Sequence, residues 1–167
     1  MFPDQTKVRN YKVKEYAVVS FIKERFASHS WVHNKRMVDA CSRRLPDLYV
    51  DLGYQVVVIE IDENQHDDYD CSCENRRLME LSQDVGHRPM IFLRFNPDGF
   101  VGDDGSNVPS PWTINKLGLC RINSKREAAW NARLETLAAH VQYWLDEANK
   151  SDQTVQVIQL YYDGHTL

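Results

Sequence analysis

The chain has 167 residues, room for one domain of ordinary size and too few for two. Hydrophobic residues make up 43% and charged residues 26%, the profile of a folded globular protein rather than a disordered or fibrous one. A net charge of −4 counts against a module dedicated to tight, non-specific nucleic-acid binding, but not against an enzyme that gathers its acids in one pocket. No apolar run approaches bilayer length, and Met1-Phe2-Pro3-Asp4 lacks a basic-then-apolar leader pattern. The expectation is an intracellular protein, cytoplasmic or nuclear, with no membrane partner. Four cysteines in such a chain are expected as thiols or metal ligands rather than disulfides.

The pattern predicts a helix over about Tyr11 to Ala27, with Val18, Ile22 and Phe26 at helical spacing. Glu15 lies on the same apolar stripe, an unusual place for a carboxylate unless it is paired or bound to metal. Two strands follow, Asp47 to Asp51 and Tyr54 to Ile61, around a turn at Leu52-Gly53. The run Val56-Val57-Val58-Ile59 is apolar on both faces, which places it centrally in a sheet. A helix is expected from about Ser72 to Val85, ended by Gly86, then a strand from Met90 to Phe95. Residues Asn96 to Pro111, rich in Gly, Pro and Asp, read as a long loop. A long helix is expected from about Ser124 to Ala148, opened by a Ser124/Glu127 capping box, with Trp130, Tyr143 and Trp144 on its apolar side. Val155 to Tyr161 alternates like a strand. The sum is a single α/β domain over 1–167, a sandwich built on a mixed sheet.

The chemistry concentrates between Pro46 and His66. If Asp51 to Tyr54 forms the turn, positions summing to about 105 face each other, and Asp47 sits opposite Val58. Val58, Glu60 and Asp62 then share a face, and Glu60 is the diagonal neighbour of Asp47 at roughly 7 Å. Acids on so apolar a strand repel one another and resist desolvation, and a bound Mg²⁺ or Mn²⁺ relieves both problems. Such an ion activates water and neutralises the charge that develops on a phosphate. His66, just past the strand end, titrates in the range a proton carrier needs. The plainer alternative is that these acids are strand-end, turn and solvent-facing residues. It is weakened because Val56 and Val58 share the face of Glu60 and Asp62.

Pro46-Asp47 followed by Glu60-Ile61-Asp62 at the end of the next strand resembles the PD-(D/E)XK nuclease superfamily. The chain is most similar to the very-short-patch-repair endonucleases and their relatives. They carry an acid in a first helix, an Asp strand, E-x-D-x-x-x-H, and then an acid, an Arg and a Leu on the next helix. The matching residues are Glu15, Asp47, Glu60, Asp62 and His66, then Glu74, Arg77 and Leu81, and the stretch covered runs from about Lys12 to Phe95. The resemblance implies a restriction-endonuclease-like α/β/α sandwich with its core over about 11–95 and a C-terminal helix and strand over 124–162. It further implies a metal-dependent endonuclease acting on DNA, as a homodimer if both strands are cut. Asp47 and Glu60 would be metal ligands, and Glu15 would complete or orient the metal shell. One position departs: Asp62 stands where the superfamily has lysine, and His66 would take over part of that role. The alternative function is a nuclease fold without catalysis that binds nucleic acid.

Cys71-Ser72-Cys73, Cys41 and Cys120 could form a structural zinc site, with His33 or His66 as other candidates for the fourth ligand; free buried thiols are the alternative. The short-patch-repair enzymes are similar in carrying a structural zinc after the E-x-D strand. Arg43, Arg44, Arg76 and Arg77 flank the acids in sequence and suit phosphate contacts, Arg77 best because it shares its helix's apolar side.

Overall fold

A computed structural model describes residues 10, 12–35, 45–66 and 71–164, the side chains of 66 and 71–74 excepted. In chain order the elements are helix α1 (Val13–Arg25), strand β1 (Val32–His33), the hairpin β2 (Leu48–Asp51) and β3 (Val56–Ile61), helix α2 (Cys71–Asp84) and strand β4 (Met90–Phe95). Two small ribbons follow, β5 (Phe100–Val101) with β6 (Asn107–Val108) and β7 (Trp112–Ile114) with β8 (Cys120–Ile122). Helix α3 (Glu127–Leu145) and strand β9 (Val155–Leu160) close the chain. The stretch expected as one loop, 96–111, therefore carries a two-stranded ribbon of its own.

The main sheet runs β1-β2-β3-β4-β9, antiparallel as far as β3 and parallel from β3 through β4 to β9. Strand β3 is buried along its whole length, as its unbroken apolar run requires. Its odd residues Val57, Ile59 and Ile61, with Ile91, Leu93 and Phe95 of β4, pack under α1 and α3. Its even residues Val56 and Val58, with Met90 and Phe92, pack under Leu81 and Val85 at the end of α2. One layer of sheet between helices on both faces is the mixed α/β architecture that the residue pattern implied. On α3, Trp130 and Trp144 reach the core as expected, whereas Tyr143 is exposed. The helix is led in by a 3₁₀ turn capped by Asn123, whose side chain accepts from Lys125 N–H, so the Ser124/Glu127 box is not the device used.

The hairpin register differs from the expected one by two residues. Asp51 pairs with Val56 and Leu48 with Ile59, so facing positions sum to 107. The connection is four residues long because its far end is tied to α3. Tyr54 Oη donates to Leu145 O (2.7 Å) and Gln55 Nε2 to Trp144 O (2.6 Å), satisfying carbonyls that the helix end leaves open. Leu52 N–H closes the turn on Gln55 O, and Gly53 sits at φ 83°, where a side chain would be strained. A two-residue shift preserves the face of every side chain. Extended by one residue, the observed register sets Asp47 directly across from Glu60 rather than diagonal to it.

Candidate functional site

Strands β3, β4 and β9 are parallel and end together, and the charged residues of β3 and β4, Glu60 and Arg94, lie at their carboxyl ends. Glu60, Asp62 and Arg94 continue the even face of β3 and β4 beyond its apolar part, and all three are buried. Asp47, just before β2, joins them from the hairpin partner; its Oδ2 accepts from Ile61 N–H at 2.8 Å.

Glu60 is 3% exposed. Arg77, from α2, donates through Nη2 to its Oε1 at 2.7 Å. Burial pushes the Glu60 carboxyl up to about 8; the guanidinium pulls it down, and the charges of Asp47 and Asp62 add to the rise. Asp47 is also raised, first by burial, with the Ile61 N–H opposing and the charge of Glu15 adding; Arg77 and Lys12 pull the other way. Two facing carboxylates that both resist ionisation make an electrostatically frustrated pair.

Glu15 stands beside this pair. Its Oε1 accepts from Asn34 Nδ2 (2.6 Å), lies 2.8 Å from His33 Nε2, and both its oxygens lie near Lys12 Nζ. Burial alone would raise it, but these partners outweigh burial and hold it below the usual carboxylate range. Its oxygens are thus engaged by protein groups. Asp62 is fully buried and engaged elsewhere: Arg94 Nε donates to its Oδ2 at 2.6 Å, Tyr162 Oη donates to the same oxygen, and the guanidinium lies 5.8 Å from the Tyr162 ring centre. It extends the row in sequence but forms an ion pair in space.

Beyond Asp62 the chain makes a 3₁₀ turn, Glu63–His66, with Asn64 and Gln65 at positive φ. Asp98 fixes it: Oδ2 accepts from Asn64 N–H (3.0 Å) and Oδ1 from Lys14 Nζ (2.7 Å), which also reaches Glu63 (3.2 Å). Arg133, buried on α3, donates to Asp98 O (2.7 Å) with its guanidinium against the rings of Phe100 and Tyr161. These residues were given no role from sequence, although Arg94 within the otherwise apolar Met90–Phe95 is a signal that could have pointed to a buried carboxylate partner.

Of the remaining expected residues, Arg76 is exposed and paired with Glu80 one turn away, so of these two neighbours Arg77 alone reaches the acids. Cys120 is a half-buried free thiol, raised chiefly by burial. Cys41, Arg43 and Arg44 lie outside the described residues, as do the side chains of His66, Cys71, Cys73 and Glu74.

The donor chemistry at Asp47 and Glu60 fits a hard divalent cation, since two oxygen-donor carboxylates with little water need positive charge. Among the described residues no three His, Cys, Asp or Glu side chains converge as a metal-holding group. An ion there would complete its shell with water and substrate oxygens, as Mg²⁺ commonly does. No family model, curated protein or solved structure matches the chain. No described helix is long and apolar enough to cross a membrane.

Proposed function

We propose that this protein is a metal-dependent DNA endonuclease of the PD-(D/E)XK type, hydrolysing phosphodiester bonds at the carboxyl end of β3. The observation that carries the reading is the pair Asp47 and Glu60, set opposite each other when the β2–β3 register is extended by one residue: a half-buried and a buried carboxylate at a strand end, with Arg77 on Glu60. Burial of like-charged carboxylates is costly to a fold, and a phosphodiesterase has a use for it. A bound Mg²⁺ or Mn²⁺ supplies an activated water and neutralises phosphate charge. Asp47 and Glu60 provide its protein oxygens. Glu15, held by Lys12, His33 and Asn34, sets the electrostatic surroundings of Asp47. Asp62, Arg94 and Tyr162 hold the end of β3 in place, and the Asp98 cluster anchors the turn that carries His66.

The test is cleavage of supercoiled plasmid and of short single-stranded DNA with Mg²⁺, Mn²⁺ or EDTA. Metal-dependent cleavage that disappears in Asp47→Ala and in Glu60→Ala is expected; activity retained in both would sink the site. One observation favours a second reading, a nuclease fold that binds nucleic acid without cutting it. The superfamily's lysine position holds Asp62, and that side chain is committed to Arg94 and Tyr162. Such a protein would bind DNA with no Mg²⁺ or Mn²⁺ dependence and would carry zinc as its structural metal.

A further inference from the structure

Arg77 reaches Glu60 from the middle of α2. Its side chain is 16% exposed against 4% for that of Glu60, so Arg77 is the more solvent-accessible member of the pair. Asp47 and Asp62 act on Glu60 with like charge, and Arg77 supplies the direct hydrogen bond that offsets them. In the described state Arg77 therefore occupies the position of counter-ion to the pair. A divalent cation held between Asp47 and Glu60 would lie within a few ångströms of that guanidinium. Two cations on one buried carboxylate repel strongly where water cannot screen them. The conflict vanishes if an anion lies between the two. A phosphodiester is such an anion, and a guanidinium matches its oxygens in charge and in fork geometry.

We propose that Arg77 competes with the divalent cation for Glu60 in the free protein and cooperates with it once a phosphodiester bridges the two, so that Arg77 couples metal binding to DNA binding. The inference rests on the nuclease reading of the same site. Coupling of this kind is reciprocal: DNA tightens the metal by the same factor by which the metal tightens DNA. Metal alone would bind weakly, and the site would assemble fully only on a nucleic-acid backbone.

The experiment is calorimetric titration of Ca²⁺, a cation of the right class that is a poor catalyst of hydrolysis, repeated from about pH 8.5 to about pH 10 so that the rise in the Glu60 carboxyl on losing Arg77 is titrated out. Wild type, Arg77→Met, Arg77→Gln and Glu60→Gln are each titrated alone and with a short mixed-sequence duplex. Arg77→Gln keeps a hydrogen-bond donor toward Glu60 and guards against a variant that merely fails to fold. In wild type the duplex should tighten Ca²⁺ by at least ~10-fold, within the usual range of coupling. In both Arg77 variants Ca²⁺ alone should bind roughly 10-fold more tightly than in wild type, and the tightening by duplex should fall below about 3-fold. Arg77 variants that bind Ca²⁺ no better than wild type, or that keep the full effect of the duplex, would overturn the exchange while leaving the metal pair intact. Wild type that binds Ca²⁺ no better than Glu60→Gln, with or without duplex, would instead overturn the nuclease reading itself.

Discussion

Glu60 makes the metal-free protein's stability depend on pH in a direction opposite to that of most acids. Its carboxyl rises from 4.5 to about 8, chiefly by burial. The folded state therefore holds the proton over a pH range in which the unfolded chain has released it. Stability from this group is fully present below about pH 4.5 and is lost as pH climbs toward 8, where folded Glu60 finally ionises. Fully realised, the loss amounts to about 5 kcal/mol, at about 1.4 kcal/mol for each pH unit between the two values. Glu60→Gln removes the titration and keeps a side-chain oxygen to accept from Arg77. Arg77 loses a charged partner only where folded Glu60 is ionised, near about pH 8 and above, so the slope below that is the informative part. Urea unfolding in EDTA at about pH 5, 7 and 9, variant beside wild type, reads that slope directly. The stability of the variant relative to wild type should rise by several kcal/mol from pH 5 to pH 9, up to the about 5 kcal/mol above. Mn²⁺ should shrink the difference by stabilising wild type selectively at high pH. A difference that stays flat with pH would refute the claim that Glu60 is held desolvated in the fold.

Asp62→Asn or Arg94→Met breaks a buried ion pair and leaves one charge uncompensated; each should cost about 3–5 kcal/mol in urea unfolding, with the double variant costing less than the sum. Arg133→Met removes the cation that holds Asp98 O and should lower stability by about 2 kcal/mol, loosening the Glu63–His66 turn, as amide exchange at Asn64 would report. Asp47→Asn keeps an acceptor for the Ile61 N–H, so stability should move by less than about 1 kcal/mol while metal-dependent cleavage is lost; a thermal melt and the plasmid assay check the two halves.

What was legible in the sequence followed from local rules. A strand as apolar as Val56–Ile59 must be covered on both faces, and it is. A carboxylate on the stripe of Val18 and Ile22 must find partners, and Glu15 does. The face shared by Asp47 and Glu60 was readable because strand alternation survives a two-residue slip. The register itself was not, because it depends on Tyr54 and Gln55 bonding carbonyls some 90 residues away. The separate fate of Asp62 was hidden for the same reason. Its partners Arg94 and Tyr162 lie 32 and 100 residues on, joined to it only by the parallel register of β3, β4 and β9. Short strands escape periodicity altogether, so β1, which carries His33 next to Asn34 and Glu15, had no pattern to betray it.

The central claim is that Asp47 and Glu60 together hold a divalent cation. Anomalous diffraction from crystals soaked in Mn²⁺ tests it most directly. The account predicts a single strong peak at about 2.1–2.2 Å from a carboxylate oxygen of each residue, with water completing the shell, and no peak there in Glu60→Ala. Mn²⁺ bound elsewhere in the molecule, or a peak that persists in the variant, would contradict it.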